Sequence, residues 1–131
     1  SFGYFEHYKD HLMTLKAVHK GLKKDGVFVL DFLNVLPVIS KLPEKQVMHR
    51  DGVRFDIHKY YAEHRIIKEI RITDQNFNTT FFEKVLALRP DDFKGLFQKS
   101  GFKIESVFGS YQLEDFNLAH SDRLIYIVRK I

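Results

Sequence analysis

The sequence predicts an α/β domain that is interrupted by an antiparallel insert, and three features carry this prediction. A helical pattern, a glycine turn and a continuous apolar run follow one another over residues 6–34, which is half of a βαβ unit. Residues 53–88 then alternate between apolar and polar positions in three runs, the pattern of an antiparallel meander with one wetted face. A helix and two strands are predicted after it, so the insert divides the α/β part of the chain in two.

The first helix is predicted over residues 6–24. Its apolar residues recur at steps of three and four and form one stripe, made of Tyr8, Leu12, Leu15, Val18 and Leu22. Asp25-Gly26 supplies the turn and the left-handed residue that end the helix. Because residues 27–34 are almost continuously apolar, we expect a strand that is buried on both faces, as in a parallel sheet.

The insert begins with a short helical segment bracketed by Pro37 and Pro43. Its three predicted strands cover residues 53–61, 66–73 and 79–88. On the first of them Arg54, Asp56, His58 and Tyr60 share one face, because residues two apart point the same way. This face is either a solvated surface or the lining of a pocket.

The second helix opens at Arg89-Pro90-Asp91-Asp92, because proline presets φ and carboxylates favour the positive end of the helix dipole. Its apolar stripe consists of Phe93, Leu96 and Phe97, and Ser100-Gly101 ends it. Two strands follow over residues 102–110 and 123–130. Since a loop joins them after parallel strands, we expect an antiparallel edge on an otherwise parallel sheet.

The composition excludes several classes of function. The chain has no cysteine, which rules out disulfides, thiolate metal sites and cysteine nucleophiles and fits a reducing cytoplasm. The net charge of +4 comes from scattered basic residues, so no nucleic-acid partner is expected. The longest apolar stretch, residues 27–39, is too short and too interrupted to span a membrane. His7 and His11 are four apart but lack a clear third ligand, so we expect two exposed histidines and no metal site.

Four segments, in order, resemble the later half of the Rossmann-like methyltransferases that use S-adenosylmethionine. Residues 1–5 (SFGYF) are similar to the loop after the family's fourth strand. Residues 22–31 resemble its "LKPGG" turn and fifth strand, with Lys24-Asp25 in place of the usual Pro-Gly. Residues 93–104 resemble the "L…AGF" helix into the sixth strand, and residues 121–130 the antiparallel seventh strand.

The resemblance implies a doubly wound sheet of which this chain holds strands five to seven. Residues 1–34 and 90–131 would belong to the methyltransferase core, and residues 35–89 would form a cap over a small-molecule methyl acceptor. The family's glycine-rich turn and ribose-binding acid have no counterpart here, so we expect a fragment whose full-length parent binds S-adenosylmethionine. The alternative is an independent α+β binding or dimerisation module. A hydrophobic sheet edge left by the missing strands would also favour a homodimer.

The resemblance also implies site residues. The expected contacts to the cofactor are at the start of the chain, where the aromatic residues are candidates for core packing as well: Ser1, Phe2, Tyr4 and Phe5. The expected contacts to the acceptor are Asn34, Tyr60, Tyr111 and Arg123. Asn34 is equally a candidate cap of the next turn, and Arg123 has Glu105 and Asp122 as alternative partners. No catalytic residue is predicted, because methyl transfer depends mainly on positioning and on the exclusion of water.

Overall fold

A computed structural model describes residues 2–131. The helices are α1 (Tyr8–Gly21), α2 (Val35–Ser40) and α3 (Pro90–Ser100). The strands are β1 (Val27–Leu33), β2 (Glu44–Arg50), β3 (Val53–Ala62), β4 (Arg65–Asp74), β5 (Phe77–Leu86), β6 (Phe102–Phe108) and β7 (Arg123–Lys130). The chain divides into two compact units, which we call the core unit (the chain up to Pro37 together with Leu88–Ile131) and the insert unit (Val38–Ala87).

The core unit contains a three-stranded sheet in the order β1-β7-β6. Both outer strands run antiparallel to β7 and therefore parallel to each other. The last strand was expected at the edge of the sheet, and this was wrong: β7 lies in the middle. The physical reason is that β7 pairs with β6 as a hairpin and offers its other side to β1, so its position follows from a long-range pairing.

The core lies between this sheet and the two long helices. Phe93 and Phe97 of α3 place their rings 5.2 and 5.1 Å from the ring of Tyr126 on β7. His19 of α1 contacts the ring of Phe102 on β6 at 5.4 Å. The predicted stripe of α3 is confirmed, because Phe93, Leu96 and Phe97 are all buried. Aromatic packing of this kind stabilises one side of the sheet.

The opposite face of the same sheet is open along β1, although Ile125 of β7 is buried on it. Leu30 and Phe32 of β1 are buried, but Val27 and Val29 are 44% and 55% exposed. The prediction that β1 is buried on both faces is therefore wrong for the residues described. A continuous apolar run reaches that state only where elements cover both faces of the sheet, and α1 and α3 pack on one.

The helix ends follow local chemistry. Pro90 starts α3, and the carboxylate of Asp92 accepts a hydrogen bond of 2.8 Å from the backbone N–H of Arg89, as a capping group does. Gly101 ends the helix with φ 86°, in the left-handed region. The expectation that Asp25-Gly26 ends the first helix was wrong, because α1 ends at Gly21 and is followed by an extended Leu22. Asp25 takes the left-handed conformation, at φ 60°, in the turn before β1. The expectation of two exposed histidines was wrong for His11, which is fully buried in α1.

The insert unit is a four-stranded antiparallel sheet in the order β2-β3-β4-β5. Three strands were predicted, and β2 was missed. All seven residues of β2 are exposed and they show no apolar alternation, because β2 is an edge strand with little to bury. The pairing of β3 with β4 runs residue by residue without a register shift, so side chains alternate regularly and Arg54, Asp56, His58 and Tyr60 lie on one face as expected.

Candidate functional site

The end of β1 is joined to the loop of residues 109–122 by a buried asparagine. Asn34 follows β1 directly and is 1% exposed. Its side-chain amide donates hydrogen bonds to the carbonyls of Leu118 at 2.8 Å and of Ser121 at 2.9 Å. Its backbone N–H donates to the carbonyl of Asp122 at 3.2 Å. Asn34 therefore fixes the loop against the carboxyl end of β1.

The two ends of this loop are also fixed to each other. The N–H of Arg123 donates to the carbonyl of Gly109 at 3.1 Å, and the N–H of Gly109 donates to that of Glu114 at 2.8 Å. A Cβ atom added at Gly109 would lie 2.2 Å from the Oγ of Ser121, closer than two such atoms can approach. That Oγ accepts a hydrogen bond of 2.7 Å from the N–H of Asn117. The close approach explains why glycine occupies position 109.

Three polar side chains meet on the open face of the sheet, and we call them the Asp31 cluster: Asp31, Tyr111 and Arg123. The Tyr111 hydroxyl donates to Oδ2 of Asp31 at 3.0 Å, and Nε of Arg123 donates to Oδ1 at 3.0 Å. The guanidinium carbon of Arg123 lies 5.7 Å from the centre of the Tyr111 ring, within the range of a cation–π contact. Asp31 thus orients both partners.

The Asp31 cluster is open to solvent and rich in hydrogen-bond donors. Tyr111 is 68% exposed, and Asp31 and Arg123 keep about a third of their side chains exposed. An arginine carries five N–H donors, and only Nε of Arg123 donates to a group among residues 2–131. The remaining donors suit a polar ligand. The cluster holds no activated nucleophile, so its chemistry is recognition and orientation.

The predicted acceptor residues are only partly gathered at this place. Tyr111 and Arg123 meet in the Asp31 cluster, and Asn34 holds the loop that carries Tyr111. Arg123 pairs with Asp31 rather than with Glu105 or Asp122. Tyr60 belongs to the insert unit, where its ring lies 4.8 Å from that of His58.

The predicted cofactor residues that the structure describes precede α1 and partly pack into the core unit. Phe2 stacks on Phe93 at 6.0 Å and contacts the ring of His11 at 5.0 Å. Phe5 contacts the same imidazole at 5.0 Å and is 38% exposed, whereas Tyr4 is 52% exposed. Ser1 lies outside the described residues. Tyr4 and Phe5 therefore retain accessible aromatic surface.

In the sequence Asp31 interrupts an apolar run, and it was not predicted as a site residue. Its position could have indicated a site, because side chains alternate along a strand and Asp31 lies between Leu30 and Phe32. Its carboxylate therefore faces away from these two buried residues. The partner of Arg123 depends on the antiparallel pairing of β1 with β7, which no local pattern indicates.

Glu105, which was an alternative partner for Arg123, pairs with Arg129. This hydrogen-bonded ion pair holds the pKa of Glu105 below its usual value.

The polar face of the insert unit also forms a concavity, with a volume of about 370 Å³. Arg54 makes a bidentate ion pair with Asp56, and Arg71 lies 3.6 Å from Glu69.

Among residues 2–131 no three His, Asp or Glu side chains are arranged to hold a metal ion. In the same range no helix is long and apolar enough to cross a bilayer.

Solved structures of methyltransferases share this fold. An S-adenosylmethionine-dependent methyltransferase from Clostridium acetobutylicum aligns with 98% of the chain at a TM-score of 0.79 and 18% identity. CcbJ methyltransferase from Streptomyces caelestis aligns with 98% at a TM-score of 0.77 and 10% identity. CalS10, an amino pentose methyltransferase from Micromonospora echinaspora solved with S-adenosylmethionine bound, aligns with 98% at a TM-score of 0.62 and 12% identity.

These similarities concern the fold. The chain spans about half the length of the structures it matches: 54% of the first, 56% of the second and 54% of the third. No protein-family model and no curated protein sequence matches it. The chain therefore has a mixed α/β structure similar to part of a methyltransferase fold.

Proposed function

We propose that the chain is the later part of an S-adenosylmethionine-dependent methyltransferase that acts on a small molecule. The observation that carries the proposal is the coverage: three methyltransferase structures align with 98% of this chain, and the chain fills about half of each. In a doubly wound sheet β1, β6 and β7 would be strands five, six and seven. The order β1-β7-β6 and the antiparallel direction of β7 agree with that assignment.

We place the cofactor beside the first residues of the chain. S-adenosylmethionine supplies an electrophilic methyl group on a sulfonium centre. The exposed aromatic surfaces of Tyr4 and Phe5 suit contact with a sulfonium or an adenine ring, so these residues fit one side of such a group, with Ser1 and Phe2 next to them. The chain offers no glycine-rich turn and no ribose-binding acid, so we expect weak binding by this part alone.

We assign the acceptor to the Asp31 cluster. The carboxylate, the phenol and the guanidinium lie near the carboxyl end of β1, the end at which open α/β sheets bind their ligands. Their role would be to hold a polar acceptor so that its nucleophilic atom is in line with the methyl group. Asn34 would act by fixing the loop. Tyr60 of the insert unit stays a predicted acceptor contact.

An amino sugar is our preferred acceptor class. One of the matched structures is named an amino pentose methyltransferase and another a sugar N-methyltransferase. Hydroxyl and amino groups are recognised by side chains that donate and accept hydrogen bonds in fixed directions, and the Asp31 cluster supplies both kinds. We place the protein in the cytoplasm, in keeping with its lack of cysteine.

The acceptor assignment is tested on the chain with its upstream residues restored. Release of S-adenosylhomocysteine is measured with a panel of amino sugars for Arg123→Ala and for Arg129→Ala. The two arginines lie on the same face of β7 and each pairs with a carboxylate, so Arg129→Ala is a matched control. We expect the first substitution to raise KM for the acceptor by about tenfold or more, as loss of a charged hydrogen bond does, and the second to leave it within about twofold.

The two parts of the proposal fail separately. Equal changes in KM for the two variants would contradict the assignment of the acceptor to the Asp31 cluster, but not the assignment of the cofactor. No transfer to any amino sugar, with S-adenosylmethionine bound, would contradict the acceptor class alone.

A homodimer of the chain of 131 residues through the free edge of β1 is a further proposal. In the full-length parent the preceding strand of the sheet would pair with this edge, so the proposal concerns this chain alone. Among residues 2–131, β1 pairs only with β7, and its other edge has no neighbour. Such an edge pairs readily with another chain. Sedimentation equilibrium should show a dimer that dissociates when Val29→Pro removes a backbone donor, and a monomer at all concentrations would contradict it.

A further inference from the structure

A cavity of about 490 Å³ lies on the helix-bearing face of the core unit and takes no part in the proposed methyl transfer. It is bounded by the start of α3, by β6 and β7, and by the loop that follows β6. Tyr126 lines it, whereas Arg123, three residues earlier on β7, belongs to the opposite face. The cavity is therefore separate from the Asp31 cluster.

Apolar and aromatic groups form the floor of the cavity. Ile104 and Val107 of β6 are half-buried there, and Phe116 of the loop is half-buried beside them. Tyr126 is 2% exposed and completes the floor. The volume is within the usual range of small-molecule sites, roughly 300–1,000 Å³.

The side chain of Tyr126 is 2% exposed and lines the cavity. Its hydroxyl makes no hydrogen bond to any group among residues 2–131, and it is not among the fully buried polar atoms that lack a partner, so it remains open to a ligand. Burial and the nearby charge of Asp91 raise the pKa of Tyr126 to about 12, so the group is a neutral phenol at neutral pH. A ligand in the cavity would satisfy this hydroxyl.

The rim of the cavity is acidic. Asp91 and Asp115 are both exposed, and neither makes an ion pair with another residue in the range 2–131. Lys94 is the cation of the rim, which leaves a net charge of −1 from two acids and one base. An anionic ligand is disfavoured by this balance, and a cationic one is favoured.

We propose that this cavity binds a small organic monocation, a protonated amine on an apolar body. The apolar body would lie on Ile104, Val107 and the ring of Phe116. The ammonium group would pair with Asp91 and Asp115 and would gain from the ring of Phe116, as cations do near aromatic rings. The Tyr126 hydroxyl would accept one of its hydrogen bonds.

The probe is phenethylamine, titrated into the chain of 131 residues at neutral pH with amide-resolved NMR detection. Phenylpropionate, of similar size and opposite charge, is the matched ligand. We expect saturable shifts at Phe116, Tyr126 and the first turn of α3 with the amine, and at least about tenfold weaker binding of the carboxylate. Equal affinity for the two ligands, or no saturable shift with the amine, would overturn the proposal.

The variant Asp91→Asn/Asp115→Asn tests the rim. Loss of the charged partners should weaken amine binding by about tenfold or more. The control Glu44→Gln/Glu83→Gln removes two exposed carboxylates from the insert unit. This control should change the affinity for the amine by less than about twofold. Asp115→Asn alone leaves α3 untouched and keeps the test valid if the double variant unfolds. Unchanged binding in a folded Asp115→Asn and in the double variant would contradict the proposed ligand class.

Discussion

The sheet of the core unit carries two long helices on one face, whereas residues 38–87 form a sheet with no long helix of their own. Phe93, Leu96 and Phe97 are at most 1% exposed in the first sheet's core. In the second sheet the large residues Phe77, Phe81 and Phe82 are more than half exposed. Covering one face thus gives the core unit most of its buried apolar area, and the insert unit relies on strand pairing and surface contacts.

Phe93→Ala is expected to have the largest effect on this contrast. Phe93 is fully buried among Phe32, Phe97 and Tyr126, so its removal should lower the free energy of unfolding by about 3–5 kcal/mol. Phe81→Ala in the insert unit, where the side chain is 55% exposed, should cost less than about 1.5 kcal/mol. Urea unfolding measures both. Comparable losses would mean that the two sheets are stabilised in the same way.

Asn34→Ala is expected to have the next largest effect. It leaves the carbonyls of Leu118 and Ser121 without their donor, which should cost about 1–3 kcal/mol. Because the bonds hold the loop, hydrogen exchange should rise at residues 109–122 more than in α3. An even rise across the core unit would contradict the anchoring role.

Ionisation of Tyr126 should make the free energy of unfolding depend on pH in the alkaline range. Its folded pKa of about 12 exceeds the ordinary value of 10.0, so its contribution to stability is fully present below pH 10 and is lost as pH rises toward 12. The free energy of unfolding should fall by up to about 2 kcal/mol across that window after allowance for solvent screening. Tyr126→Phe should remove this fall, and a fall that persists in the variant would assign it to other groups.

Glu105 and Arg129 give the smallest expected effect. The hydrogen-bonded Arg129 lowers the folded pKa of Glu105 below its ordinary value of 4.5. The contribution of the pair is therefore present above pH 4.5 and is lost as pH falls through the folded pKa. Glu105→Gln should flatten the acid limb of the unfolding curve slightly, because both side chains are exposed. A large change would contradict the assignment of a surface pair.

Local signals predicted the elements that depend on local chemistry. The start of α3 followed from Pro90 and the two aspartates, and its end followed from Gly101, because caps act within one turn. The alternation over residues 53–88 gave the faces of the meander, because side chains in a strand alternate. These predictions required no knowledge of the rest of the chain.

The remaining features depend on pairings between distant segments. β2 has no apolar pattern because it lies at an edge, and β7 lies between β1 and β6 because of contacts roughly a hundred residues apart. The Asp31 cluster arises from the same pairing, which brings Arg123 to Asp31. Tyr111 and Arg123 were predicted as site residues, but Asp31, the group that joins them, was not.

Calorimetric titration with S-adenosylhomocysteine tests whether this chain is the later part of a methyltransferase. We expect no detectable heat with the chain of 131 residues, and binding on the order of micromolar affinity once the upstream residues are restored. Micromolar binding by the chain alone would contradict the claim that its cofactor site is incomplete. Absence of binding by the extended chain would contradict the methyltransferase assignment itself.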